Sequence, residues 1–211
     1  MFYEPIAKME KRLRFGDVVQ GFHVFSFEFE SLNQRLQSGV INMSLPQYCV
    51  VLTPCCSIKG KVIVLSPLVP VENAIFRKPF FAEEPTRINK YIEAKQAIHP
   101  KKLETMHPDE LQAISERPPA YAHSNCFVYM EHELFEEYDI VIEKKQIKSK
   151  FYMVDFKNTY KVGCTEIERE KVDFSGFKVL QLSIDSREQL RRKISEYYGR
   201  VPLEDVPAPS S

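Results

Sequence analysis

The feature that most limits the fold of this chain is a series of short apolar runs, each ended by a proline or by charged residues. Residues 48–53 form one such run, and Pro54 ends it because proline has no N–H to give to a neighbouring strand. Residues 61–68 contain a second run, stopped by Pro67. Continuous short runs of this kind are typical of strands buried on both faces. The sequence therefore predicts a β-rich core.

Other segments extend this pattern. Residues 18–29 are rich in β-branched and aromatic residues and predict one strand or a hairpin, whereas the polar residues 31–42 predict a loop. Further strands are predicted at residues 126–130, 138–142, 151–156 and 178–184. The basic run at residues 144–150 lies between two of them and predicts an exposed turn.

Helices are predicted at both ends of the chain and in its middle. Residues 1–14 carry apolar residues at helical spacing. Ser186 and Gln189 form a capping box that starts a terminal helix, and Gly199 stops it. Two further helical segments are predicted at residues 87–97 and 108–115.

These elements predict one α+β domain over residues 1–201, with a small antiparallel or barrel-like (SH3-like) sheet and a C-terminal helix. Residues 77–120 are predicted to be a helical insertion on one side of the sheet. Residues 202–211 contain three prolines and two serines and predict a flexible tail.

Composition narrows the class of protein. The 29 Lys and Arg residues balance the 29 Asp and Glu residues, so the whole chain has no net attraction to nucleic acid. No apolar stretch has the length of a membrane span or of a secretory signal, and the five cysteines are an odd number. We therefore expect a cytoplasmic protein with reduced thiols. The many Phe and Tyr residues suit an interface with a protein partner.

The first candidate site is a cluster of cysteine and histidine. Cys55 and Cys56 follow a predicted buried strand, and His123 and Cys126 form a His-x-x-Cys pair just before another strand. Thiolates and imidazoles are the ligands that zinc prefers. The four residues therefore predict a zinc site, with zinc as the cofactor, although a buried cysteine also serves as a small apolar residue. Cys49 lies inside its strand and is predicted to belong to the core.

Two other chemistries remain open. Cys55 or Cys56 is a candidate nucleophile for a cysteine-dependent hydrolase, with His123 or His23 as its base. Nucleic acid is an alternative partner if the basic run at residues 144–150 shares a face with basic residues near the end of the chain, which are Arg191, Arg192, Lys193 and Arg200.

Two segments resemble known families. The order Gly16-Asp17-Val18-Val19, then residues 48–53, then residues 62–68 resembles the opening of the MazF/PemK toxins, and this implies an SH3-like barrel that cuts RNA. That family places an arginine before its second strand and a threonine after its third. Here those places read Gln47-Tyr48-Cys49 and Leu68, so the residue pattern that would carry ribonuclease activity is missing. The resemblance implies a related barrel, with a divergent nuclease as an alternative function.

The second resemblance covers the two ends of the chain. Residues 50–58 are similar to a "VVISQxCDI" segment of uncharacterised prokaryotic proteins, and residues 187–202 are similar to their "RExL…YYGRVP" end. The resemblance singles out Cys56, and Ser57 replaces the family's aspartate. It implies an accessory protein of a mobile-element, antiviral defence or toxin–antitoxin-like system. We therefore expect an accessory or interaction protein, and the alternatives are a MazF-like nuclease and a cysteine-dependent hydrolase.

Overall fold

The structure is a computed structural model. It describes residues 1–29, 39–54, 57–58, 62–76, 81, 84–89, 105–110, 125–142, 145–163 and 173–199. The strands in this part of the chain are β1 (Val18–Val19), β2 (Val24–Phe29), β3 (Gly39–Ser44), β4 (Cys49–Val51), β5 (Val62–Pro70), β6 (Cys126–Tyr129), β7 (Tyr138–Ile142), β8 (Lys145–Ser149), β9 (Tyr152–Asp155), β10 (Tyr160–Gly163) and β11 (Lys178–Leu180). The helices are α1 (Asn73–Phe76), α2 (Ile184–Gly199) and two 3-10 turns, Ile6–Lys8 and Pro85–Asn89.

One antiparallel sheet holds most of these strands, in the order β11, β1, β4, β5, β9, β6, with β10 also on β5. Strand β5 is its centre, because β5 pairs in turn with β10, β4 and β9 along its length. The two predicted apolar runs are therefore confirmed as strands of this sheet, and the first is confirmed as a buried central strand. In β4, Cys49, Val50 and Val51 are almost wholly buried.

Pro67 does not end β5 as the sequence predicts. Leu68 N donates to Tyr48 O at 2.9 Å, so the nitrogen of the preceding Pro67 points to the opposite edge of the strand. On that edge β5 changes partner, because its pairing with β10 ends at Leu65 and its pairing with β9 begins at Leu68. A residue without an N–H is tolerated at this junction.

Two hairpins stand apart from the main sheet. Strands β2 and β3 form one, and β7 and β8 form the other. The fold is thus mixed and mostly sheet, with one long helix near the carboxyl end of the described residues. The described strands form open sheets, so the prediction of an SH3-like barrel is not confirmed.

Several local predictions need correction. The amino end is not a helix beyond the turn at Ile6–Lys8. It runs extended beside the residues before α2, where Tyr3 bridges to Leu182 and Glu4 N donates to Gln181 O. Residues 39–42 belong to β3, and most of the basic run belongs to β8, since each of these segments has a partner strand in a hairpin.

Helix α2 is confirmed but begins earlier than predicted. Ser183 Oγ accepts a hydrogen bond from Ser186 N at 3.3 Å, so Ser183 takes the capping position. Strand β11 correspondingly ends at Leu180. The predicted insertion at residues 77–120 and the tail at 202–211 lie largely outside the described residues; within the insertion, the structure shows the 3-10 turn and a helical segment at residues 108–110.

The main core lies between α2, the amino-terminal segment and the sheet. Leu190 of α2 is fully buried there, and Ile194 and Tyr197 pack at its margin. Aromatic rings fill the rest, with Tyr48, Phe135 and Tyr152 in edge or tilted contact at 4.9–5.5 Å between ring centroids. In the described part of the chain, no helix is long and apolar enough to cross a membrane.

A buried ammonium group joins the two ends of this core. Lys178 Nζ lies 2.7 Å from Asp17 Oδ2, and the two side chains are 1% and 0% exposed. The same nitrogen donates to Glu10 O at 2.7 Å and to Arg12 O at 2.6 Å. Because these acceptors replace water around the charge, the amino-terminal segment is tied to β11.

The turn before β1 depends on glycine. Gly16 has a φ of 85°, and a Cβ placed on it would lie 2.8 Å from Leu182 Cδ1. Its N–H donates to Val51 O, and its carbonyl accepts from the Tyr129 hydroxyl. Gly16 therefore allows Asp17 to enter the core against Lys178.

Replacing Lys178 tests how much the ion pair with Asp17 contributes to stability. Lys178→Met leaves the Asp17 carboxylate buried without its cation, so the free energy of unfolding should fall by about 3–5 kcal/mol. Urea denaturation followed by circular dichroism measures this. Lys11→Met is the matched control, since Lys11 is 80% exposed in its 3.1 Å ion pair with Asp173 and its loss should leave the urea midpoint unchanged. Equal effects of the two substitutions would contradict the assignment.

The carboxyl group of Asp17 makes the free energy of unfolding depend on pH. Burial raises the pKa of Asp17 to about 6 against the opposing effect of Lys178. The folded chain therefore binds this proton more tightly than the unfolded chain, where the pKa is about 4. Asp17 should make the free energy of unfolding fall as pH rises from about 4 to about 6, and change little above that.

Urea denaturation of wild type and Asp17→Asn from pH 4 to pH 7 isolates this contribution, because all other groups are shared. The wild-type value minus the variant value should decrease with rising pH. A difference that is constant over this range, or that increases, would show that the pKa of Asp17 in the folded chain is not raised.

Candidate functional site

The structure describes one of the four predicted zinc ligands. Cys55, Cys56 and His123 lie outside the described residues. Cys126 begins β6, where its thiol is buried in a second core cluster with Val71, Ile75 and Phe81. Its carbonyl oxygen accepts a hydrogen bond from Lys193 Nζ at 3.2 Å. Cys126 thus fills the role of a small apolar core residue.

The prediction of a zinc-binding, metal-binding protein is corrected on this basis. Among the residues that the structure describes, no group of three or more His, Cys, Asp or Glu side chains could hold a metal ion. Burial also raises the pKa of the Cys126 thiol to about 11.

The described thiols are not poised for nucleophilic attack. Burial raises the pKa of Cys49 to about 12, as it raises that of Cys126, so both are protonated at neutral pH. Cys49 lies in β4 and is confirmed as a core residue. His23, a candidate base, lies exposed just before β2. The pairing of Cys55 or Cys56 with His123 falls outside the described residues and stays a prediction.

Several of the described basic residues in the nucleic-acid alternative are engaged by other groups of the chain. Lys148 in β8 makes ion pairs with Glu137 at 3.0 Å and Asp139 at 3.5 Å, so neighbouring carboxylates offset its charge. Arg191 pairs with Glu188 along α2. Lys193 is 3% exposed and points into the core. Arg192 is exposed on α2, and Arg200 lies outside the described residues.

A more distinctive surface is found on the hairpin of β2 and β3. Its register pairs Phe25 with Met43 and Phe27 with Ile41. Directly opposed residues of an antiparallel pair share a face, as do alternate residues of one strand. These four side chains therefore form one apolar surface, which we call the hairpin face. Their exposed fractions are 52% for Phe25, 52% for Phe27, 69% for Ile41 and 63% for Met43.

The hairpin is fixed to the body at one end. Val24, the first residue of β2, is 2% exposed and packs in a third core cluster with Val19 and Val51. Every residue of β3 is exposed. In the described part of the chain β2 and β3 pair with each other alone, and β2 also lies beside β10 of the main sheet. The hairpin face is thus exposed on a ribbon that contacts the body at Val24 and along β10.

Gly39 shapes this face. A Cβ on Gly39 would lie 2.2 Å from Cζ of Phe27 and within 2.9 Å of two further ring atoms. The Phe27 ring therefore lies directly over the glycine, across the strand pair. The absence of a side chain at position 39 leaves the room that the ring occupies.

Charge is excluded from the hairpin face. Glu28 is the charged residue within the described strands β2 and β3, and it pairs with Val40 on the opposite face. The opposite face also carries Ser26, Asn42 and Ser44. The ribbon is therefore amphipathic, with its apolar side exposed.

Sequence reasoning found half of this site. The partial alternation of residues 18–29 predicts a strand or hairpin, but the loop predicted at residues 31–42 overlaps the first four residues of β3. The available signal was the alternation of Ile41 and Met43 with Asn42 and Ser44, which has the period of a strand with one polar face. Asparagine, serine and glycine around these residues favoured the loop assignment.

Comparisons with protein-family models, with curated proteins and with solved structures find no match to this chain. They give no support to a role in antiviral defence, and that prediction is withdrawn.

The buried thiols can be tested directly. Brief treatment of the native protein with N-ethylmaleimide at pH 7 should leave Cys49 and Cys126 unlabelled, because both are protonated and almost wholly buried. The same treatment in urea should label both, which serves as the control. Peptide mass spectrometry reads each site separately. Labelling of Cys126 in the native protein as fast as in urea would contradict its place in the core.

Proposed function

We propose that this protein is an interaction protein that binds a protein partner through the hairpin face. The observation that carries the proposal is the exposure of Phe25, Phe27, Ile41 and Met43 side by side on one face of the hairpin. Contiguous exposed apolar patches on a folded protein mark sites of association, because leaving them in water is unfavourable.

The residue types support a protein partner. Aromatic residues and methionine are enriched in the buried centres of protein interfaces, and charged residues are depleted there. Nucleic acid would need cations on the same surface, and the described hairpin face has none. Among the described strands β3 pairs with β2 alone, so its other edge offers additional backbone hydrogen bonds to a partner.

Preorganisation also supports the proposal. Phe27 is positioned by Gly39, and β2 is anchored at Val24. Side chains that are already ordered lose less conformational entropy on binding than free ones do, so more of the apolar contact appears as affinity.

Photo-crosslinking in the cells that make the protein tests this function. A photoreactive phenylalanine analogue placed at position 27 should give covalent adducts, because that position lies within the proposed contact. The same analogue at position 40 is the control, since Val40 is 41% exposed on the opposite face of the same strand pair.

The proposal predicts adducts at position 27 and few or none at position 40. Phe25→Ser, combined with the analogue at position 27, should reduce the adduct yield severalfold by removing a neighbouring contact. Equal yields at positions 27 and 40, or no adduct at either, would refute binding through this face.

A further inference from the structure

We infer that the partner of the hairpin face is a second copy of this chain, bound about a two-fold axis that runs along the hairpin. The inference rests on the proposed function and names its partner. The arrangement places β2 of one copy over β3 of the other, so that the same contacts are made twice.

The register makes the face complementary to itself in this arrangement. Phe25 and Met43 lie at the same height on the two strands, as do Phe27 and Ile41. A two-fold axis along the hairpin places β2 of one copy opposite β3 of the other. It leaves the position of each residue along the strand direction unchanged. Each Phe25 then meets Met43 of the other copy, and each Phe27 meets Ile41. Aromatic rings on aliphatic and thioether groups are favourable contacts, and sulfur–aromatic contacts add a further attraction.

Charge permits this association. The chain has 29 cationic and 29 anionic residues, so two copies carry no net repulsion. The hairpin face itself is uncharged in the described residues, so it has no group with which to select a charged partner. An uncharged, self-complementary face is suited to an identical face.

The available area sets the strength of the association. With about 150–250 Å² for each large apolar side chain, the exposed fractions leave roughly 450 Å² on each copy. Two copies would bury roughly 900 Å² in total, which lies in the range of weak and transient interfaces rather than permanent dimers. A reversible dimer with a dissociation constant on the order of micromolar or weaker is therefore expected.

Sedimentation equilibrium of the full chain tests the inference. The weight-average mass of wild type should rise with concentration from 24.6 kDa toward twice that value. Ile41→Lys should hold the mass at one chain over the same range, because it places a charge inside the apolar contact. Val40→Lys is the matched control, since it puts the same charge on the opposite face beside Glu28, and it should associate like wild type.

A charge exchange tests the two-fold arrangement itself. Phe27→Glu alone should also stay at one chain. An equimolar mixture of Phe27→Glu and Ile41→Lys should recover a rise in mass with concentration toward two chains, because the arrangement sets the new carboxylate of one copy against the new ammonium of the other. Far-ultraviolet circular dichroism of each variant confirms that the fold is kept.

Each other outcome would overturn the inference. A wild-type mass of one chain at every concentration, or association unaffected by Ile41→Lys, would exclude a dimer through the hairpin face. Continued growth beyond two chains would exclude a closed two-fold contact, and a mixture that fails to recover would exclude this axis. Crosslinking at position 27 to a different protein would keep the proposed function and refute the second copy.

Discussion

The fold depends on the ammonium group of Lys178, which lies where the first and last strands of the main sheet meet. It is held by the Asp17 carboxylate and by the carbonyl oxygens of Glu10 and Arg12. A buried charge without such partners costs several kcal/mol, so the amino-terminal segment has one position in which this charge is satisfied. That position brings Gly16 against Leu182 and completes the core beneath α2.

The main sheet and the hairpin of β2 and β3 differ in how fully their side chains are buried. The main sheet, centred on β5, buries its strands through several partners. The hairpin of β2 and β3 buries Val24 at its base and exposes its apolar side. The body is thus stabilised by contacts that the hairpin does not share, and changes on the hairpin face can alter association without altering the fold.

Sequence reasoning succeeded where a segment carries its own signal. Residues 48–52 and 62–65 are apolar, and their strands lie in the middle of the main sheet, with β4 wholly buried and β5 exposed at Val62. Helix α2 has an apolar stripe and a glycine stop. Sequence reasoning failed where the structure depends on distant partners. Nothing near Asp17 indicates Lys178, the strand at 39–44 exists because β2 pairs with it, and Pro67 is tolerated because β5 changes neighbours there. The zinc hypothesis was based on residue types and spacing. Spacing cannot show that Cys126 packs in a core.

The pairing of the chain's early and late segments has a consequence for its synthesis. Lys178 is separated from Glu10 by 168 residues, so the acceptors of its ammonium leave the ribosome long before it does. At about 5–20 residues per second, the interval is roughly 10–30 s. Throughout it, β1 lacks the strand on one of its edges and Asp17 lacks its cation. This part of the core therefore closes only after β11 has emerged, and until then the unpaired edge of β1 is open to association with other chains.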